Sequence, residues 1–181
     1  SRLWELSLWF VQLWGESLGK KVSDEHGNVS AIGPTPVPAL GSTNQHSQLQ
    51  LFMEGPHDKF VTFIGVNDHG ATLPFPEDLP DAYGYLAGHS MAQLMKAEEQ
   101  GTTWALAQAG RPSQTLTLSK VSPESLGALF FLFEAQTAFS GGLYGINAFD
   151  QPGVEAGKKI AYGLMGRAGY EAHVPEALRN N

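Results

Sequence analysis

The chain has 181 residues, with 11 basic and 18 acidic side chains that leave a formal net charge of −7. That length allows one domain of ordinary size, or one with a small appendage, and a chain this long can bury roughly 70% of its unfolded surface without a covalent staple. The absence of cysteine excludes disulfides, CxxC zinc sites, iron–sulfur clusters and a thiol nucleophile, and it fits a reducing compartment. The acidic balance, with no basic run, argues against a nucleic-acid partner. The N-terminus lacks a basic region followed by an unbroken apolar core and a cleavage site, so no signal peptide is expected. The apolar stretches Leu3–Trp14 and Leu126–Phe133 fall short of the ~18 uninterrupted residues of a membrane span, so no membrane is expected either.

The first predicted element is a helix over 2–18. Its apolar residues cover nearly the whole circumference and leave a narrow polar stripe of Glu5, Gln12 and Glu16. Such a helix is expected to be buried on nearly all sides, which is unusual at a chain terminus. Gly19-Lys20-Lys21 ends it. Asp24–Asn28 is a turn, and Val29–Ile32 a short strand. Three prolines make 33–41 irregular. Ser42-Thr43-Asn44-Gln45 has the pattern of a capping box and opens a helix to Glu54, stopped by Gly55-Pro56.

Lys59–Val66 is a short, β-branched, nearly continuous apolar run, the mark of a central parallel strand. After a proline-containing loop over 67–80, residues 82–110 read as mostly helical, with a break at Gly101. Gln114–Val121 alternates as a strand. Ser122-Pro123-Glu124 starts a helix that runs to about Ser140, with proline at its first position and an acid in its first turn. The aromatic cluster Phe130, Phe131, Phe133 reads as core. Asp150 caps a last helix to about Met165, and 168–181 reads as a polar tail. Strands alternating with helices imply an α/β fold, a three-layer αβα sandwich around a mainly parallel sheet. Ligands in such folds sit at strand carboxyl ends and helix N-termini.

Three side chains could carry chemistry. Glu16 stands one turn beyond Gln12 on the same helix face. It is either a solvated helix-end acid or a general base flanked by tryptophan. His46 falls in the first turn of its helix, where the dipole favours neutral imidazole and anionic ligands gather; a surface or core histidine is the simpler reading. Lys158 falls beside Val154, Ala161 and Met165 at the edge of an apolar stripe, whereas Lys159 pairs with Glu155 at i,i+4. Lys158 therefore either snorkels or is recruited to a site. A competing pattern is Gly88-His89-Ser90-Met91-Ala92, followed by Asp150 and His173 in the chain order of an α/β hydrolase. It lacks the second glycine, and the expected strand before Ser90 reads as loop or helix start. No H-E-x-x-H, paired metal-ligand spacing or P-loop is present.

Three segments carry a resemblance. Ile146–Lys158 (INAFDQPGVEAGK), Gly41–Gly55 (GSTNQHSQLQLFMEG) and Trp14–Lys20 (WGESLGK) resemble the C-terminal signature, histidine segment and glutamate segment of the phosphoglucose isomerase family. They occur in family order, and the similarity extends from the first residue to about Arg167. Ala148 departs from the usual proline or serine, and Leu18 and Asn44 fall at variable spots.

The resemblance implies a sugar-isomerase (SIS) domain over 1–167 followed by a tail over 168–181. The implied activity is interconversion of glucose 6-phosphate and fructose 6-phosphate through a cis-enediol. Glu16 would be the proton-shuttling base, His46 would help open the sugar ring, and Lys158 would lie near the ring oxygen and C1 hydroxyl. Gln12 and Gln151 would contact substrate. No metal or organic cofactor is implied, and the expected setting is the cytoplasm. Family members are more than twice this long. The phosphate-binding Ser/Thr-rich loop and a catalytic arginine lie in an N-terminal sugar-isomerase domain with no counterpart here. The histidine crosses a homodimer interface in the family. The expected partners are therefore a sugar phosphate, the missing N-terminal domain and a second copy, and the domain alone is expected to be nearly inactive. The alternative is a stand-alone sugar-phosphate-binding module.

Overall fold

The computed structural model describes residues 2–179. Among these residues five α-helices and four strands follow one another in the order α1 (Trp4–Leu18), β1 (Lys20–Ser23), β2 (Val29–Ile32), α2 (Gln45–Glu54), β3 (Val61–Asp68), α3 (Met91–Gln108), β4 (Ser113–Lys120), α4 (Pro123–Tyr144) and α5 (Glu155–Leu164). The chain divides into two compact units. One takes residues up to Leu8 together with Val37–Leu132, and the other takes Trp9–Pro36 together with Phe133 onward. The division falls inside α1 and α4.

In the first unit β3 and β4 form a parallel pair in register from Val61↔Ser113 to Asp68↔Lys120. A parallel pair needs a crossover, and α3 supplies it. α3 opens on a true capping box, in which Ser90 Oγ accepts the Gln93 N–H (3.3 Å) and Gln93 Oε1 accepts the Ser90 N–H (2.7 Å). It then runs unbroken through Gly101. The capped start and the long run of helix-forming residues outweigh the ~1 kcal/mol that one interior glycine costs. Leu106 is fully buried in this unit, with Leu6 and Leu129 nearly so. The sequence predicts a central strand over Lys59–Val66. Here β3 has one strand neighbour among the described residues, and only Gly65 is buried; Val61, Phe63, Ile64 and Val66 are half-buried and Thr62 is exposed.

The box expected at Ser42–Gln45 does not form. The cap residue of α2 is Asn44, whose side chain accepts the Leu40 N–H (2.6 Å) instead of capping the helix. Gln45, which should have reached back to Ser42, donates to Thr102 Oγ1 on α3. A tertiary contact has taken the side chain that the local motif required.

In the second unit β1 and β2 form an antiparallel hairpin, Lys20↔Ile32 to Ser23↔Val29. The sequence shows β2 but hides β1, whose Lys20-Lys21 reads as a helix end. The turn is held by Asp24, which accepts the His26 and Asn28 N–H groups and the Asn28 side-chain amide. Those bonds, led by the Asn28 side chain, hold the Asp24 carboxyl below the usual aspartate range. Phe10 packs on Phe133 with ring centroids 4.8 Å apart, and Trp14 Nε1 donates to the Pro34 carbonyl at 2.9 Å. Leu18, Phe133, Thr137, Ala148 and Val174 are the buried residues around which this unit is built.

Burial is less complete than the apolar patterning predicts. In α1 only Leu6, Ser17 and Leu18 are buried, and Leu8 is exposed. Of the expected aromatic core in α4, Phe133 is buried but Phe130 and Phe131 are exposed, as are Phe139 and Leu143 further along. α4 also runs one turn beyond the predicted end. By length and composition it is the one described helix that could cross a membrane, a test that core helices of soluble proteins also pass. The described residues leave most of its apolar surface uncovered.

Residues 168–179 are not a free tail. Two short 3-10 turns, Glu171–His173 and Glu176–Leu178, fold back toward α5 and bury Val174. Tyr162 meets Tyr170 edge-on at 5.2 Å, and the Arg167 guanidinium lies over both rings at 4.4 and 5.0 Å. The close approach happens at Gly163, where a Cβ would come within 2.5 Å of the Tyr170 carbonyl oxygen and of Val174 Cγ2. Alanine at that position gains about 1 kcal/mol of helix propensity but meets backbone, and overpacking costs about 1–3 kcal/mol. Gly163→Ala is therefore expected to lower the melting temperature and to expose 168–179 to proteolysis. An unchanged melting temperature and cleavage pattern would refute this packing.

Candidate active site

The five residues singled out from the sequence are all exposed: Gln12, Glu16, His46, Gln151 and Lys158. Four of them lie in the second unit, and His46 lies in the first, as the second residue of α2. Gln12 and Glu16 stand one turn apart on α1, so they share a face. The tryptophan-flanked burial expected for Glu16 is not found. Trp14 turns its indole to the Pro34 carbonyl, and Glu16 remains open to solvent.

The Gln151 segment meets the Glu16 segment through neighbouring residues. Lys20, four residues after Glu16, places its Nζ 3.6 Å from Asp150 Oδ1, and Asp150 immediately precedes Gln151. The same segments help to form an open cleft of about 330 Å³, lined by Leu13 and Ser17 of α1, Glu134, Thr137 and Ala138 of α4, and Ala148 and Phe149 of the loop. Neither Glu16 nor Gln151 lines this cleft; Ser17 and Phe149, one and two residues away from them, do. The sequence assigns Asp150 to a helix cap and gives Lys20 no role. Both stand inside the segments that resemble the family, which was the available signal. The cap assignment fails because a 3-10 turn, Pro152–Val154, intervenes and α5 begins only at Glu155. Asp150 is instead held by Lys20 and by Asn147 Nδ2, at 2.9 Å.

The lysines differ from expectation as well. Lys158, not Lys159, takes Glu155, donating at 2.9 Å across i,i+3. Lys159 lines a separate shallow cleft with Ile160 and His173. The hydrolase pattern dissolves as well. The residues before Ser90 form a 3-10 turn, Asp81–Leu86, where an elbow needs a strand. The Ser90 hydroxyl is buried in the α3 cap, so it caps a helix and offers no exposed nucleophile. Among the described residues no group of three or more His, Asp or Glu side chains is arranged to hold a metal ion.

Helices and a parallel strand pair joined by a helical crossover place the chain in the mixed α/β class. The chain belongs to the phosphoglucose isomerase family, whose profile matches residues 1–175. It is 49% identical over 170 residues to the glucose-6-phosphate isomerase of Rubrobacter xylanophilus, covering 92% of this chain and 37% of that protein. It is 44% identical over 173 residues to the Carboxydothermus hydrogenoformans enzyme of the same name, covering 94% and 37%. A crystal structure of a hypothetical protein from Thermus thermophilus superposes with a TM-score of 0.82 at 44% identity, over 91% of this chain and 39% of that one. That of a glucose-6-phosphate isomerase from Chlamydia trachomatis gives 0.75 at 29%, over 97% and 34%. The chain thus spans just over a third of the length of these relatives.

The Glu155–Lys158 pair makes a checkable electrostatic unit. The hydrogen bond from Lys158 holds the Glu155 carboxyl below the usual glutamate range, and the same bond holds the Lys158 ammonium above the usual lysine range. Glu155, being depressed, stabilises the fold above the ordinary glutamate range and loses that contribution as pH falls through its folded value. Lys158, being raised, contributes below the ordinary lysine range and loses that contribution as pH rises through its folded value. The pair therefore persists across neutral pH and contributes little to stability because both partners are half-exposed. Glu155→Gln is expected to move the Lys158 titration down toward that of an ordinary lysine, read from its side-chain NMR shifts. An unmoved titration would contradict the pairing.

Proposed function

We propose that residues 1–167 are the C-terminal sugar-isomerase domain of a longer enzyme that interconverts glucose 6-phosphate and fructose 6-phosphate. The observation that carries the proposal is the family match over nearly the whole chain, combined with the limited share of each relative that the chain spans. In this reading Glu16 is the base that moves a proton between C1 and C2 through a cis-enediol. His46 assists ring opening, Lys158 sits by the ring oxygen and C1 hydroxyl, and Gln12 and Gln151 bind substrate hydroxyls. The reaction is an internal redox exchange that needs no net electron acceptor, so carboxylate, imidazole and ammonium side chains suffice for it. A glutamate base assisted by a histidine parallels the logic of another sugar-phosphate isomerase, in which glutamate abstracts and histidine polarises.

The exposure of all five side chains supports a site completed by other protein. The enzyme is proposed to work in the cytoplasm as a homodimer, with an N-terminal domain that grips the phosphate. Binding energy from that remote group is what positions C1 and C2 over the base. The exposed apolar residues of α4, Phe131, Phe139 and Leu143, support the same reading, since faces of this kind are normally covered.

Two measurements test it. Fructose 6-phosphate turnover by these 181 residues alone is expected to be negligible in a coupled assay and to rise when the N-terminal domain of a close relative is added. Robust turnover without it would refute the incomplete-site reading. Binding without turnover in both cases would favour a sugar-phosphate-binding module. In the complemented or full-length enzyme, Glu16→Gln is expected to lower kcat by about 10²–10⁴-fold, the usual contribution of a positioned base. Retained turnover would remove Glu16 from that role.

A further inference from the structure

We propose that Lys20 is a positioning residue that locks the Glu16 end of α1 to the Asp150–Gln151 loop, an inference that rests on the isomerase reading above. The Lys20 side chain is only 8% exposed, an unusual state for a lysine on a short edge hairpin. Its ammonium donates to the Ser17 carbonyl at 2.7 Å and faces Asp150 Oδ1 at 3.6 Å. The first contact caps α1, where a cation complements the free carbonyls of the last turn. The second contact joins segments far apart along the chain.

The acceptor loop is braced for this contact. Asp150 uses its other oxygen, Oδ2, to accept from Asn147 Nδ2 at 2.9 Å, and Asn147 Oδ1 in turn accepts the Phe149 N–H at 3.0 Å. The loop therefore presents its carboxylate in one orientation, with Gln151 following directly. On the helix side, Gly33 closes over the end of α1. A Cβ there would come within 2.6 Å of the Leu18 carbonyl oxygen, and its φ of +119° suits glycine. The hairpin therefore packs directly against the end of α1 at Gly33, and Lys20 joins that end to the loop.

An aliphatic side chain could fill this space without the desolvation that a buried ammonium incurs. What the lysine adds is directional: one hydrogen bond to a specific carbonyl and one ion pair to a specific carboxylate. Neither contact touches the proposed reacting atoms. Lys20 acts through Glu16 and Gln151, by setting how far apart they stand.

The test uses the full-length or complemented enzyme. Lys20→Met is expected to lower kcat about 100-fold, the scale on which small displacements of a catalytic group act, with KM changed less than about threefold. Lys20→Arg is expected to restore kcat to within about tenfold of wild type, because it keeps the cation. Asp150→Asn, at a half-exposed position that tolerates substitution in the fold, is expected to reproduce the kcat loss, and the double variant is expected to be no worse than either single one. A wild-type kcat in Lys20→Met or in Asp150→Asn overturns the inference. So do strictly multiplicative losses in the double variant. Should Lys20→Met fail to fold, Asp150→Asn and Lys20→Arg still decide the question. Turnover that survives Glu16→Gln would instead sink the isomerase reading itself. Turnover abolished by Glu16→Gln but indifferent to both tether variants sinks this inference alone.

Discussion

The unit that carries Glu16 depends on how the C-terminal end of α1 is closed. A helix leaves its last four carbonyls without partners, and a helix end buried without compensation is costly. Here Leu18 is fully buried at that end, so water cannot serve the carbonyls freely. Lys20 supplies a donor to Ser17, and the chain turns at once into a hairpin whose return strand brings Gly33 back over Leu18. Trp14 fastens the same return segment one turn higher, through the Pro34 carbonyl. The exposed Gln12 and Glu16 are thus mounted on a helix whose final turn is held by buried contacts. Side chains mounted on a packed element are held more precisely than those on a loop.

The same logic appears at α5. A helix of ten residues is short for independent stability, and this one has no side-chain cap at its start. Its stability comes from the segment that folds back over it, through Val174, the Tyr162–Tyr170 contact and the Arg167 guanidinium. Lys158 stands on the first turn of that helix, steered by Glu155. The helix is held along its later turns and left open where the lysine is.

Much of this was legible from residues alone. Periodicity and punctuation placed α1, β2, α2, β3, β4 and the start of α4 within a few residues, because those signals are local: a proline after serine, a glycine-proline stop, a β-branched run. The readings that failed are those in which a local motif competed with a distant partner. Gln45 abandons a capping box for Thr102. Asp150 abandons a helix cap for Lys20 and Asn147. The missing strand before Ser90 already told against a nucleophile there, and the residue is a helix cap. The aromatic cluster of α4 failed differently. Patterning can say that a surface is apolar, but only neighbours decide whether it is covered, and Phe131 stays exposed among the described residues.

By itself the sequence determined the family, through three ordered segments, and with it the identities of the five candidate side chains. Their types and spacing are properties of the covalent chain and survive any packing. It also determined the alternating α/β order, since hydrophobic period and turn residues act over a few positions. Only the tertiary structure decided which groups hold those candidates in place. The Lys20–Asp150 tether, the fold-back of residues 168–179 and the choice of Lys158 over Lys159 by Glu155 are each settled by three-dimensional placement. The first two also depend on what lies across a gap in the chain, and a local pattern does not encode that distance.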